Sequence, residues 1–170
     1  GLEGCRLCPS DTDYGILKAR LGYRGAELLL ASLEPGDVIG IGASSTVYEA
    51  VKALHETRDY PGLRVVPLSG GSLGMDGRPQ INQVVHTAAQ QLNAEFIYLN
   101  APLYVGEDSI VQLLMEDTSI RQCTSLWDQL GNALIGIGRG DIVGTKDPHF
   151  LAALDAVGRS RVAAAVCGWF

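Results

Sequence analysis

The run Val38-Ile39-Gly40-Ile41-Gly42 constrains this chain more than any other stretch. It is apolar at every position that is not glycine, follows the breakers Pro35 and Gly36, and leads into Ala43-Ser44-Ser45-Thr46. A strand with one wet face alternates polar and apolar residues, so a run without alternation belongs to a strand buried on both faces. Beyond the hydroxyls, Val47, Ala50, Val51 and Leu54 recur at steps of three and four, the signature of a helix with one inward face. A buried strand feeding directly into an amphipathic helix is the unit of a parallel α/β sheet.

The rest of the chain continues the alternation. Leu17, Leu21, Leu28, Leu29 and Leu33 predict a helix over Ile16–Leu33, weakened by Gly22 and Gly25, and Pro35-Gly36 ends it. A strand is expected at Leu63–Leu68 and a helix at Asn82–Leu92 with Val84, Val85, Ala88, Ala89 and Leu92 inward. The stretch EFIYLNAPLYV reads as a strand closed by a proline turn, and Asp108–Met115 and Ser119–Leu130 read as helices. NALIGIG reads as one more strand and Pro148–Val157 as one more helix. The expected fold class is α/β, a Rossmann-like parallel sheet with helices on both faces. Three expected strand ends carry glycine, at Gly42, Gly70–Gly71 and Gly136–Gly138, and ligands of such sheets sit beyond the carboxyl ends of strands.

Length and composition fit one globular domain: 170 residues, 46% hydrophobic and 19% charged. No stretch is long and apolar enough for a membrane span, and the N-terminus lacks the pattern of a signal peptide, so the expected compartment is the cytoplasm. The net charge of −6 and the lack of a basic tract argue against nucleic-acid binding by these residues themselves. Cys5-Arg-Leu-Cys8 has the spacing of half a zinc site, but His55, His86 and His149 are scattered and Cys123 and Cys167 stand alone. No metal and no cofactor are expected, and the two N-terminal cysteines read as small apolar residues of an N-terminal strand.

A strand that ends in glycine and feeds a helix offers unpaired N–H groups and a favourable dipole to an anion. Gly42 permits close approach, while Ser44, Ser45 and Thr46 add hydroxyl donors; one of the three suffices to cap the helix. The nucleotide motifs fit less well: Gly40-x-Gly42-x-x-Ser45 lacks the third glycine of a dinucleotide fingerprint, and no lysine supplies a Walker loop. Ser69, Gly70 and Gly71 are candidates for a second wall. Asn82 reads as a helix N-cap and Gln83 as a side chain free to reach ligand hydroxyls. Arg139 and Asp141 follow the third glycine strand end and can face the same crevice. The acid pairs Glu107-Asp108 and Glu116-Asp117 fall at helix ends, where capping explains them.

In this order, LEPGDVIGIGASSTVYEAVKAL, VVPLSGG, NQVVHTAAQQLNAEFIYLNAPLYV and ALIGIG resemble the sugar-binding domain of SorC/DeoR-type bacterial transcriptional regulators over nearly the whole chain. The resemblance implies a fold similar to sugar-phosphate isomerases and CoA-transferase-like proteins, and a phosphorylated sugar or related metabolite as effector. It implies that Gly42, Ser44, Ser45 and Thr46 form the phosphate side of the site and that Ser69, Gly70, Gly71, Asn82 and Gln83 form the sugar side. It also implies a homo-oligomer that reaches operator DNA through a helix-turn-helix, which does not precede Leu2 here. Family domains continue past the point matched by AVCGWF, through a strand and a helix bearing a phosphate-contacting lysine. The expectation is therefore a single effector domain over residues 1–170, shortened at its C-terminal side, with an incomplete and weakened site. Some relatives carry arginine where Ser69 stands, so a bisphosphate effector is disfavoured.

The alternative is an enzyme of the sugar-phosphate isomerase type, which needs a carboxylate or lysine at a carbon-bound proton. No Asp-Gly-Ala-Asp-type segment occurs, and Lys146 is the only lysine after Lys52. A third reading gives the apolar end RVAAAVCGWF a role in protein association.

Overall fold

The computed structural model describes residues 2–55, 59–72, 79–139, 148–157 and 164–167. Their elements run α1 (Tyr14–Ser32), β1 (Val38–Ile41), α2 (Ser45–Lys52), β2 (Arg64–Pro67), α3 (Ile81–Leu92), β3 (Glu95–Phe96), α4 (Asp108–Glu116) and α5 (Thr118–Thr124). A 3-10 turn at Trp127–Gln129 follows, then β4 (Leu130–Leu134), β5 (Ile137–Arg139), α6 (Pro148–Val157) and β6 (Ala164–Val166). β1 is paired in parallel on both edges, with β2 and with β4, and β2 pairs in parallel with β3. The order is β3-β2-β1-β4.

That order dictates the layers. From β1 to β2 to β3 the chain steps in one direction, so right-handed crossovers place α2 and α3 on one face. From β3 it returns past β1, and the same handedness puts α4 and α5 on the other. The side chains sort accordingly. Ile39, Ile41 and Val65 join Ala26 and Leu29 of α1 with Leu33 just after it, Val47 and Val51 of α2, and Val84, Val85, Ala88 and Leu92 of α3 in one core. Val38 and Val66, which point the opposite way along the pleat, meet Ile120, Cys123 and Leu126 in a second. The absence of alternation in the sequence of β1 is the mark of this double burial.

Helix ends follow local chemistry. The Asp13 carboxylate accepts from the N–H groups of Gly15 at 2.7 Å and Ile16 at 3.2 Å and starts α1. Asp117 does the same for α5, accepting from Ser119 and Ile120. Asn93 closes α3 in the left-handed region, at φ 51°.

Four expectations are corrected. EFIYLNAPLYV is a strand only at Glu95–Phe96, because β3 is the sheet edge and the chain beyond it is drawn into side-chain and loop hydrogen bonds. NALIGIG is two strands: β4 ends at Leu134, and Ile137–Arg139 pairs antiparallel with β6 in a separate ribbon. The helix expected over Ser119–Leu130 ends at Thr124, and Leu130 already belongs to β4. Cys5 and Cys8 lie outside any strand, and Cys5 is exposed, since no neighbouring strand pairs with that segment. Asp141 lies outside the described residues.

The two glycines of α1 have opposite reasons. A Cβ on Gly22 would stand 2.6 Å from the Ala50 nitrogen and 2.7 Å from the Glu49 carbonyl carbon, so here α1 touches the backbone of α2. On Gly25 it would stand 3.6 Å from the Ala50 Cβ, an ordinary contact. Gly25→Ala is expected to raise stability by up to about 1 kcal/mol through helix propensity. Gly22→Ala should lower it despite the same propensity gain. Urea denaturation checks both, and two substitutions of the same sign would contradict the packing assigned to α1.

Candidate functional site

The direction in which successive strands are added reverses at β1, and the carboxyl ends of β1 and β4 bound the crevice where open α/β sheets take ligands. At this place the chain leaves β1 through Gly42, whose N–H donates to the Leu134 carbonyl at 2.9 Å. Ser44 is extended, at φ −157° and ψ 157°, and its Oγ accepts from the Val47 N–H at 3.0 Å, capping α2. Ser44 is thus the capping hydroxyl among the three. Ser45 and Thr46, both half-buried, occupy the first turn of α2. Their N–H groups precede any intrahelical acceptor and find none among the described residues.

The loop after β4 closes on this turn. A Cβ on Gly136 would run into the Ser44 hydroxyl, so the two loops meet with no room for a side chain. Gly42 is also covered by Cys167, the residue after β6: a Cβ there would stand 2.7 Å from the Cys167 Sγ. Burial pushes the Cys167 thiol above its ordinary pKa and keeps it protonated at neutral pH.

The second loop leaves β2 at Leu68, whose N–H donates to the Ile41 carbonyl at 2.9 Å. Ser69 is 7% exposed and its Oγ has no hydrogen-bond partner among the described residues. A buried hydroxyl left unpaired costs about 1–3 kcal/mol, which a bound molecule would relieve. Gly70 lies against the carbonyls of Ala101 and Pro102, too close for any side chain. Gly71 completes the junction: its N–H donates to the Ala101 carbonyl at 2.9 Å, and its carbonyl accepts from Leu103 at 2.8 Å. On the other face the Trp127 indole donates to the Pro67 carbonyl at 2.9 Å and fixes the end of β2.

The start of α3 differs from the sequence reading. The N-cap is Gln80, not Asn82. Asn82 lies inside the helix, where its Oδ1 accepts from the Leu99 N–H at 3.1 Å and its Nδ2 donates to the Leu99 carbonyl at 3.2 Å. One amide imitates a neighbouring strand and holds the chain after β3 in place. Gln83 is exposed, and its Oε1 accepts from the Gln80 N–H at 2.9 Å. The Gln80 side chain in turn donates to the Ser72 carbonyl at 3.2 Å, tying α3 to the second loop.

The structure therefore sets Gly42, Ser44, Ser45 and Thr46 together at the end of β1 and the start of α2. Gly70, Gly71 and Asn82 meet the segment 99–103, Gln83 is tied to the second loop through Gln80 and Ser72, and Ser69 is buried next to Gly70. Sequence reasoning missed Cys167, Trp127 and the clamp role of Asn82. All three reach their partners across chain separations that leave no periodic trace. Neither the 42–46 nor the 69–72 loop contains Lys or Arg, so the positive potential these two loops offer comes from main-chain N–H groups and the α2 dipole. Cys123, buried in the second core with its thiol pushed up to about 11, plays no part in it. Two open grooves, of about 340 and 380 Å³, lie against α4–α5 and against α1. Both are lined mainly by apolar side chains, and neither includes a residue of the glycine loops.

Asn82→Ala leaves both main-chain groups of buried Leu99 unpaired and should cost about 1–3 kcal/mol in urea denaturation. Gln83→Ala removes one bond at an exposed helix start and should cost less than about 1 kcal/mol. Equal costs would show that the Asn82 amide is not what secures the loop.

Comparison with known proteins agrees with this architecture. A family model described as "Putative sugar-binding domain" matches residues 1–170. The Sorbitol operon regulator of Klebsiella pneumoniae is 31% identical over 143 residues, covering 81% of this chain and 44% of that protein. The transcriptional regulator LsrR of an Enterobacter species is 27% identical over 140 residues, covering 81% of this chain and 40% of that protein. The crystal structure of full-length SorC from Klebsiella pneumoniae superposes with a TM-score of 0.82 at 27% identity, over 94% of this chain and 53% of that one. The chain thus spans about half the length of the relatives it matches, and those relatives are regulators of transcription.

Proposed function

Since this chain belongs to the sugar-binding domain family of transcriptional regulators, we propose that residues 1–170 act as the effector-sensing domain of a longer regulator and take a phosphorylated sugar at the β1–β4 crevice. The observation that carries this reading is the glycine–hydroxyl turn at the topological switch point, with two first-turn N–H groups of α2 that have no acceptor among the described residues. A phosphate at Gly42, Ser44, Ser45 and Thr46 would take those donors together with the Ser45 and Thr46 hydroxyls. The sugar would extend toward Ser69, Gly70 and Gly71, where its hydroxyls would pair the orphan Ser69 Oγ, with Asn82 and Gln83 at the far side.

Ligand would draw the loops after β1 and β2 together and favour one packing of a homo-oligomer over another, which requires unequal affinity for the two states. Operator DNA would be bound by a helix-turn-helix elsewhere in the regulator, and such a protein would work in the cytoplasm. Among the described residues no helix is long and apolar enough to cross a membrane. We read the domain as a sensor, not a catalyst. An aldose–ketose isomerase needs a base beside the substrate carbon, and the loops and Asn82-Gln83 offer hydroxyls, amides and glycine with no carboxylate or lysine.

A thermal-shift series with hexose and hexitol 6-phosphates and their unphosphorylated counterparts tests the effector class. At least one phosphate ester should raise the melting temperature more than its parent sugar, because a ligand that binds only the folded state stabilises it. If none does, the effector is not a sugar phosphate.

Replacing Ser45 and Thr46 together by alanine removes two charge-assisted hydrogen bonds. Affinity for the phosphate ester should fall by about tenfold or more, and for the parent sugar by much less. Calorimetric titration reads both, and a uniform loss would place the phosphate elsewhere.

A further inference from the structure

The ribbon formed by β5 and β6 meets the ligand loop at one end, with both of its strands. Two residues separate β4 from β5, and there Ile135 and Gly136 pack on Gly42 and Ser44. Beside them β6 runs out into Cys167, whose sulfur lies over Gly42. From that end the pairing is antiparallel, Ile137 with Val166, Gly138 with Ala165 and Arg139 with Ala164, and separate from the main sheet. Cys167 is held at φ 50°, a left-handed conformation that side-chain-bearing residues seldom adopt outside turns. The fold thus places this thiol over the one loop position where a missing side chain leaves the backbone open to a ligand. In glycine loops at strand ends, that opening is what lets an anion approach the main chain.

We propose that the β5–β6 ribbon is a latch on the ligand loop: Cys167 fills the space over Gly42 that a phosphate-bearing ligand enters, so the latched and ligand-bound states exclude one another. The exclusion of ligand rests on the phosphate reading of the site, whereas the latch contact stands on the packing alone. Ligand entry swings Cys167, at the end of β6, away from Gly42, while the neighbouring contact of Gly136 with Ser44 through β5 is kept. The latch sets the affinity of the loop from a distance, because the free energy of lifting it is subtracted from every binding event.

Cysteine chemistry reads the latch directly. In a Cys5→Ser/Cys8→Ser background the remaining thiols are Cys123, buried in the core, and Cys167. Labelling with monobromobimane, followed by peptide mass analysis, then reports the exposure of Cys167. The sugar phosphate found by thermal shift should speed this labelling at least threefold. Cys167→Ala should bind that compound several-fold more tightly. It should also raise amide hydrogen exchange across residues 43–46 at least fivefold without ligand. Cys167→Gly, which suits the positive φ, should do the same and guards against a folding defect in the alanine variant. Slower labelling with ligand, or unchanged exchange in both folded variants, would overturn the latch. Raised exchange in both variants, with no sugar phosphate bound by either, would uphold the latch contact and sink the phosphate reading instead.

Discussion

Everything in this molecule depends on the double pairing of β1. Four residues with no polar side chain are hydrogen-bonded to β2 on one edge and β4 on the other, and are buried on both faces. Such a strand cannot tolerate water on either side, so two helical layers are obligatory. The handedness of crossovers then decides which helices go where. The strand order β3-β2-β1-β4 sets the reversal at β1, and with it the crevice. The crevice thus opens at the end of four buried residues that follow a proline-glycine turn.

Close approach of main chain to main chain does the remaining work. Gly136 against Ser44, Gly70 against the Ala101 and Pro102 carbonyls, and Gly42 under Cys167 are three places where a single Cβ would force the loops apart. The polar groups that result are peptide N–H groups and short hydroxyls held by capping and bridging bonds. Their positions are set by the scaffold and lose little entropy when a ligand arrives.

Much of this was legible in the sequence. β1, β2, the helices that follow them and the bounds of α6 come from hydrophobic period and breakers, because burial imposes that period directly. The turn Gly42–Thr46 was legible too, since glycine followed by hydroxyls before an amphipathic run marks a capped strand-to-helix turn, and Ser44 is that cap. What was not legible depends on partners distant in the chain. The brevity of β3 comes from its edge position and from Asn82, 17 residues away from the Leu99 backbone it holds. The division of NALIGIG comes from Ala164–Val166, which draws Ile137–Arg139 out of the sheet. Asn82 looks like a cap because asparagine before an apolar helix usually is one; Gln80 took that role two residues earlier.

The backbone contact of α1 with α2 at Gly22 has a mechanical side. α1 has 19 residues, and Gly22 is its ninth, so the contact divides the helix into two arms of roughly equal reach. At about 1.5 Å per residue the arms extend roughly 12 and 15 Å, and Ala26 and Leu29 bury the longer one in the core. Because α2 begins at Ser45, the helix that α1 approaches so closely is the one that starts at the glycine–hydroxyl turn, so a missing side chain on α1 sets the depth at which that turn is seated.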